Sequence, residues 1–194
     1  MCKRKKLALI FLYSGIHSNG RCKCRNDCSG RGTITFTGIV SDATCIITGG
    51  DINNPSGTSA DFTVRLPMVS PTQLDSAGKT AGTTDFFIKL SGANCANDIV
   101  ANVRFKALAA TPIDSVNGNL TNIEVVEKAN NAQIRLLNKD KSPINLNNAA
   151  TEKHQEVTIA NNAAQFDYSA QYFATAAATP GKVLSTLGYD IEYN

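Results

Sequence analysis

The sequence predicts an all-β fold, a two-sheet sandwich of immunoglobulin-like type, with a closed barrel as the alternative architecture. Three observations carry that prediction. From Thr33 onward the apolar residues recur with a period of two, and β-branched residues are common. Clusters of Gly, Asn, Ser and Pro break these runs at short intervals, as turns between short strands do. No helical pattern of about ten residues interrupts the series. With 194 residues the chain is long enough for one domain that buries its own core without a metal. It contains no Trp, so the Cys, Trp, Cys arrangement of antibody domains is missing.

Taken in order, the first element stands apart from the fold. Lys3, Arg4, Lys5 and Lys6 precede the apolar run at residues 7–13, and small residues follow at 18–20. A charged start, a short apolar middle and a weak cleavage site read as a secretory signal over residues 1–20. The run is too short to cross a bilayer, so no integral membrane span is expected. In the body, Ile34 and Phe36 share a strand face, then Cys45 and Ile47, with Gly38 and Ser41-Asp42 loosening the chain between them as a bulge would. Phe62, Val64, Leu66 and Met68 alternate next, and Pro67 ends that ladder or puts it at an edge. Residues 69–83 form a loop with at most a short turn of helix.

Phe86, Ile88 and Leu90 define a strand leading through Ser91-Gly92 to Cys95, and Val103, Phe105 and Ala107 define another. Asn117-Gly118-Asn119 is a turn signal. Ile123 and Val125, Ile134 and Leu136, Ile144 and Leu146, and Val157 and Ile159 mark short strands between Asn-rich connections. Phe166, Tyr168, Ala170 and Tyr172 make a long strand, and residues 174–180 separate it from the last one. In that last strand Val183, Leu187, Tyr189, Ile191 and Tyr193 all fall on odd positions and share one face. A chain that ends this way is built to pair with something.

Charge and motif content exclude several function classes. The net charge of +3 owes much to the first 31 residues, where eight basic residues face Asp27 alone; the rest carries 11 Lys plus Arg against 15 Asp plus Glu. No basic patch argues for nucleic acid. The two histidines are His17, at the end of the signal, and His154, in a polar run that suits a solvated loop better than a general base. There is no G-x-S-x-G, H-E-x-x-H or phosphate-binding glycine loop, so an enzyme is disfavoured and no cofactor is expected. Cys22, Cys24 and Cys28 have no nearby fourth ligand for zinc. Asn119-Leu-Thr121 fits a glycosylation sequon, a match too short to carry weight. Export puts the body in an oxidising compartment, where Cys45 and Cys95, its only cysteines, are expected to pair.

Gly-Thr-Ile-Thr-Phe-Thr-Gly at residues 32–38, the Cys45 and Cys95 pair, Gly181 fourteenth from the end and Tyr193 penultimate together give a specific combined spacing. Over roughly residues 30–194 the chain resembles the major subunit family of chaperone-usher fimbriae, the type 1 pilins. The resemblance implies an incomplete immunoglobulin-like sandwich that lacks its final strand and is completed by donor-strand exchange. It implies a groove lined by Ile34, Phe36, Gly181, Val183, Leu187, Tyr189, Ile191 and Tyr193, with the Asn194 carboxylate as the anchoring point for a periplasmic chaperone. It also implies an outer-membrane usher, neighbouring pilin subunits as polymer partners, and a cell-surface fimbrium supporting adhesion. In such a polymer an N-terminal extension fills the groove of the neighbouring subunit by β-strand addition, and the head-to-tail geometry is open, so fibres follow.

The resemblance divides the chain into a signal at 1–20, a donor-strand extension at 21–32 and a pilin domain at 33–194. The extension departs from the pattern: Cys22, Cys24, Asn26, Cys28 and Gly30 share the donor face, where alternating apolar residues belong. Back-translating Arg-Cys-Lys-Cys-Arg-Asn-Asp-Cys and dropping the first base permits Val-Ala-Asn-Ala-Ala-Thr-Thr-Val, which holds an A-x-A cleavage site and a pilin-like start. A compensated frameshift around residues 13–29, as a sequencing error or a real lesion, accounts for the cysteines. The competing functional classes are a self-contained secreted sandwich that binds glycans and, further off, a secreted hydrolase.

Overall fold

The computed structural model describes residues 45–51, 59–153 and 155–194. The readings made on the signal segment, on the donor-strand residues, on Ile34 and Phe36 and on His154 lie outside the described residues. Nine strands form among those described: β1 (Ile46–Asp51), β2 (Thr80–Ser91), β3 (Val100–Lys106), β4 (Leu120–Thr121), β5 (Ala132–Leu137), β6 (Pro143–Ile144), β7 (Val157–Thr158), β8 (Ala163–Ala174) and β9 (Gly188–Tyr193). The larger sheet runs β1-β2-β8-β5-β4, with β6 beside β5; the smaller runs β7-β3-β9. Every pairing between these strands is antiparallel.

The period-two pattern places the core. On β2, Phe86, Ile88 and Leu90 point inward and are buried, the last two completely, while Lys89 between them is exposed. Phe166, Tyr168 and Ala170 of β8 lie on the same inner face, and Ala101 and Val103 of β3 meet them from the other sheet. Phe105 closes the contact by presenting its ring edge-on to Tyr168, centroids 4.9 Å apart. Each fully buried aliphatic side chain contributes about 1.5–3 kcal/mol through the area it removes from water. Cys45 and Cys95 form the expected disulfide, with Cα atoms 4.4 Å apart and a sequence separation of 50. Closing a loop of that size restricts the unfolded chain by about 4 kcal/mol on the chain-entropy account.

Five sequence expectations need correction. Residues 62–66 keep their alternation, with Phe62, Val64 and Leu66 half-buried against the core, but among the described residues they join no ladder. Instead of pairing with a strand, the Arg65 amide donates to Asp51 Oδ2 at 3.3 Å. Met68 leaves that face altogether and is 99% exposed, because Pro67 cannot continue a hydrogen-bonded run. In the loop assigned to residues 69–83, a 3-10 helix at Pro71–Leu74 starts from a Ser70 capping box closed by Gln73, but residues 80–83 belong to β2. Thr80 and Ala81 pair with Phe173 and Tyr172 before a bulge at Ala81/Thr84, so tertiary pairing overrides the turn-like composition.

The strand expected at Ile123 and Val125 is absent, and Val125 is 88% exposed. There the Asn122 side chain takes the backbone amides that a neighbouring strand would take. Leu146 lies past the end of β6, its amide donating to the Gly118 carbonyl. The alternating tail, read as one strand, is two pieces: residues 181–187 follow a separate path before β9 begins at Gly188.

Candidate strand-accepting groove

Residues 181–187 run alongside the 122–129 loop. The Lys182 amide donates to Glu127 O at 2.6 Å, the Ala129 amide to Lys182 O at 2.9 Å and the Ile123 amide to Leu184 O at 2.8 Å. Thr186 N–H donates to Thr111 Oγ1 at 3.0 Å, and Ser185 Oγ donates to Thr121 O at 2.8 Å. Gly181 begins this path at φ +152°, where a Cβ would sit 2.5 Å from both Ala129 N and Glu127 O. Only glycine permits so close a crossing of two backbones at such a φ. The fourteenth residue from the end is therefore fixed by main-chain contact rather than by a side chain in the groove.

From Gly188 the chain enters the smaller sheet at its edge, paired only with β3 among the described residues. Asn194 N donates to Val100 O at 2.8 Å and Val100 N to Asn194 O at 3.3 Å, so these two form a hydrogen-bonded pair. Antiparallel alternation then makes Glu192, Asp190 and Gly188 the bonded partners of Asn102, Arg104 and Lys106. Tyr189, Ile191 and Tyr193 fall in the intervening positions, with their backbone N–H and C=O groups directed at the opposite edge. Salt bridges Arg104–Glu192 (2.8 Å) and Lys106–Asp190 hold the register from the outer face.

The same odd positions face the sandwich interior. Val183, Leu187, Tyr189 and Ile191 pack against the core but stay half-buried, and Tyr193 is 40% exposed. On β2 and β8, by contrast, Ile88, Leu90 and Phe166 are covered completely. Phe62 lies beside Tyr189 and Phe86, with centroids 6.2 and 6.3 Å away, and Tyr189 Oη donates to Ala60 O at 2.7 Å. Burial, with the charge of Asp61 adding to it, raises the Tyr189 phenol above its usual range. Burial also raises that of Tyr193. Phe62 reaches this position by lying over Gly49 of β1, where a Cβ would come within 2.3 Å of its ring.

The structure thus brings Val183, Leu187, Tyr189 and Ile191 together along one half-covered face, with Tyr193 and Asn194 at its exposed end. Sequence reasoning missed Phe62 as a wall of this face and Asn122 as its support. The Gly49-Gly50 pair inside a strand was the available signal for Phe62, since glycine in a strand marks close approach.

Elsewhere the polar chemistry is structural. Ser169 Oγ donates to Asp85 Oδ1 at 2.7 Å and accepts from Lys141 Nζ at 2.7 Å, while Lys141 also pairs with Asp85. Ser169 is fully buried, with its hydroxyl engaged by both partners, so the trio is not arranged for nucleophilic attack. Asn119 is buried, donating to Gln133 Oε1 and accepting from Arg135 Nε, which closes the sequon to modification. Among the described residues no group of three or more His, Cys, Asp or Glu is placed to hold a metal, and no helix is long and apolar enough to cross a membrane.

The profile of the FimA family, described as type-1 fimbrial protein, A, matches residues 66–194. The chain belongs to the type-1 fimbrial protein family. Fimbrial relatives agree: the chain is 39% identical to the major fimbrial subunit SMF-1 of Stenotrophomonas maltophilia, over 84% of this chain and 92% of that one. It is 41% identical to the F17 fimbrial protein of Escherichia coli, over 84% and 87%. Among solved structures, a chaperone-usher pilus whose structure addresses rod uncoiling aligns at TM-score 0.52 and 20% identity, over 86% of this chain and 97% of that one. At that identity the likeness speaks for the fold alone. The resemblance drawn from residues 32–38, the cysteine pair and the C-terminal spacing therefore holds, and this fimbrial protein has the incomplete immunoglobulin-like pilin fold. It is a structural subunit, and the self-contained glycan-binding alternative is not favoured.

Proposed function

We propose that this fimbrial subunit polymerises head to tail by accepting a β-strand from a neighbouring copy beside β9 and donating its own residues 21–32 in turn. Before assembly a periplasmic chaperone fills the same groove and holds the Asn194 carboxylate, and an outer-membrane usher receives the complex. Residues 1–20 direct export and residues 33–194 form the pilin domain, with Ile34 and Phe36 on the opposite wall of the groove. The observation that carries this reading is the doubled character of Tyr189, Ile191 and Tyr193. They present incompletely covered side chains toward the interior and outward-directed backbone groups on one edge. An added strand satisfies both needs at once.

The donor residues fit this role in the shifted frame better than in the present one. There Ala-Asn-Ala at positions 22–24 becomes the cleavage site, Thr and Val replace Asn26 and Cys28 on the donor face, and the thiols that endanger the Cys45–Cys95 pairing disappear. Resequencing the gene decides between error and lesion.

The test of the groove is Ile191→Glu in the full chain, which leaves β9 its backbone pairing with β3 but sets a carboxylate where the incoming strand must dry the surface. Surface fibres counted by electron microscopy are expected to vanish, as they are after deleting residues 183–194. Fibres at wild-type density from either variant would overturn the proposal.

A further inference from the structure

We infer that Asn122 is the positioning residue of the groove: without lining it, this side chain fixes where the groove-lining segment leaves the sandwich, and so sets how well a partner strand is accepted. The inference rests on the strand-accepting role of β9 proposed above. Asn122 is 6% exposed, and its amide is fully used. Nδ2 donates to Ala129 O and to Lys182 O, both at 2.9 Å. Oδ1 accepts from Glu124 N and from Leu184 N, both at 3.0 Å. Two donors and two lone pairs are the whole capacity of an asparagine side chain.

The partners are what give this arrangement its meaning. The carbonyl of residue 182 and the amide of residue 184 flank Val183, and they are the two groups a parallel neighbouring strand would engage. One side chain thus substitutes for a strand at the point where Val183, the first groove residue, turns toward the core. Its other two bonds reach across the base of the 122–129 loop. That loop is closed further by Glu124 Oε1, which accepts from the amides of Val125 and Val126 at 2.9 and 3.0 Å. The loop is therefore a folded support rather than a free connection, and Asn122 transmits its position to the terminal segment.

Asn138 supplies an internal control. It is 2% exposed and also has four side-chain contacts, the two Nδ2 hydrogens shared among Ser142 O, Ser142 Oγ and Thr151 O, and Oδ1 accepting from Lys153 N. None of these touches the terminal segment. Asn122→Ala and Asn138→Ala should cost comparable global stability, whereas only the first should loosen the groove.

The experiment uses the full chain with two readouts: amide hydrogen exchange at residues 182–186, and capture of a synthetic peptide, Ala-Thr-Thr-Val followed by residues 29–32, which is the donor extension left after cleavage in the shifted frame. Asn122→Ala is expected to lose protection at Leu184 and Thr186 and to capture the peptide about tenfold more weakly than wild type, as the loss of buried hydrogen bonds at the segment's root implies. Asn138→Ala is expected to do neither. Equal protection at Leu184 in the two variants, or wild-type capture by Asn122→Ala, overturns the inference. Ile191→Glu serves as the separate arm. If it captures the peptide as wild type does, the strand-accepting reading fails, while the exchange data still decide whether Asn122 positions the segment.

Discussion

Replacing Gly181 with Ala separates two reasons for a glycine that usually act together. At φ +152° any side chain is strained, and the added Cβ would lie 2.5 Å from Ala129 N, 2.5 Å from Glu127 O and 2.6 Å from Lys128 C. All three are backbone atoms, so none can rotate away. Gly78 offers the comparison: its φ is +87°, and a Cβ there meets nothing within 4 Å. Gly78→Ala should therefore cost the conformational penalty alone, about 1–2 kcal/mol. Gly181→Ala should add about 1–3 kcal/mol of overpacking. For a chain of this length that excess lowers Tm by about 2–12 °C relative to the Gly78 variant. Thermal unfolding followed by circular dichroism reads the difference, and amide exchange at Lys182 and Ala129 shows whether the crossing has opened. If the two variants melt together, the terminal segment is not held against the 127–129 backbone and the account of Gly181 is wrong.

Two further outcomes follow from titrating groups. Hydrogen bonds from Lys141 and Ser169 hold the Asp85 carboxyl below its usual 3.8; a depressed folded value means this contribution is present above about 3.8 and is lost as pH falls through the lower folded value. Denaturant midpoints should thus fall below pH 4 in wild type and fall less steeply in Asp85→Asn, with parallel acid limbs counting against the assignment. Tyr168 Oη is buried with no hydrogen-bond partner among the described residues, and burial, with the Glu152 charge adding to it, raises its phenol above the usual 10.0. A raised folded value leaves stability intact below pH 10 and erodes it above, so Tyr168→Phe should flatten the alkaline limb. At pH 7 the same change should be neutral or stabilising by about 1 kcal/mol, since it removes an unsatisfied group; a loss of that size would reveal a partner for the hydroxyl.

Long strands with a clean period were legible because each buries one face: Phe86, Ile88 and Leu90 on β2 and Phe166, Tyr168 and Ala170 on β8 need no further information. Among the short elements, the strands at Ile134 and Leu136, at Ile144 and at Val157 were legible as well, whereas the segment at Ile123 and Val125 misled, because its backbone partners are side chains that no periodicity reports. Ile123 and Val125 alternate like a strand, yet Asn122 and Glu124 occupy the neighbouring amides. The same cause split the tail. Its odd-position rule held from Val183 to Ile191 for burial, while the hydrogen bonds of residues 182–186 went to the 111–129 region instead of to β3. Burial pattern and ladder membership are separate properties, and a sequence displays only the first.

That separation also explains how an edge strand can be selective. In an antiparallel ladder, side-chain direction and backbone direction both alternate with each residue. On β9 the two alternations coincide, so Tyr189 and Ile191 supply interior contacts and outward hydrogen-bonding groups together, and Tyr193 continues the outward groups at the exposed end. A partner strand displaced by one residue turns its apolar side chains to solvent and misaligns its backbone donors in the same step. It cannot trade one kind of contact for the other. In the proposed assembly, register is thus enforced twice by a single set of residues, while Asp190 and Glu192, on the opposite face, keep their ion pairs with Lys106 and Arg104.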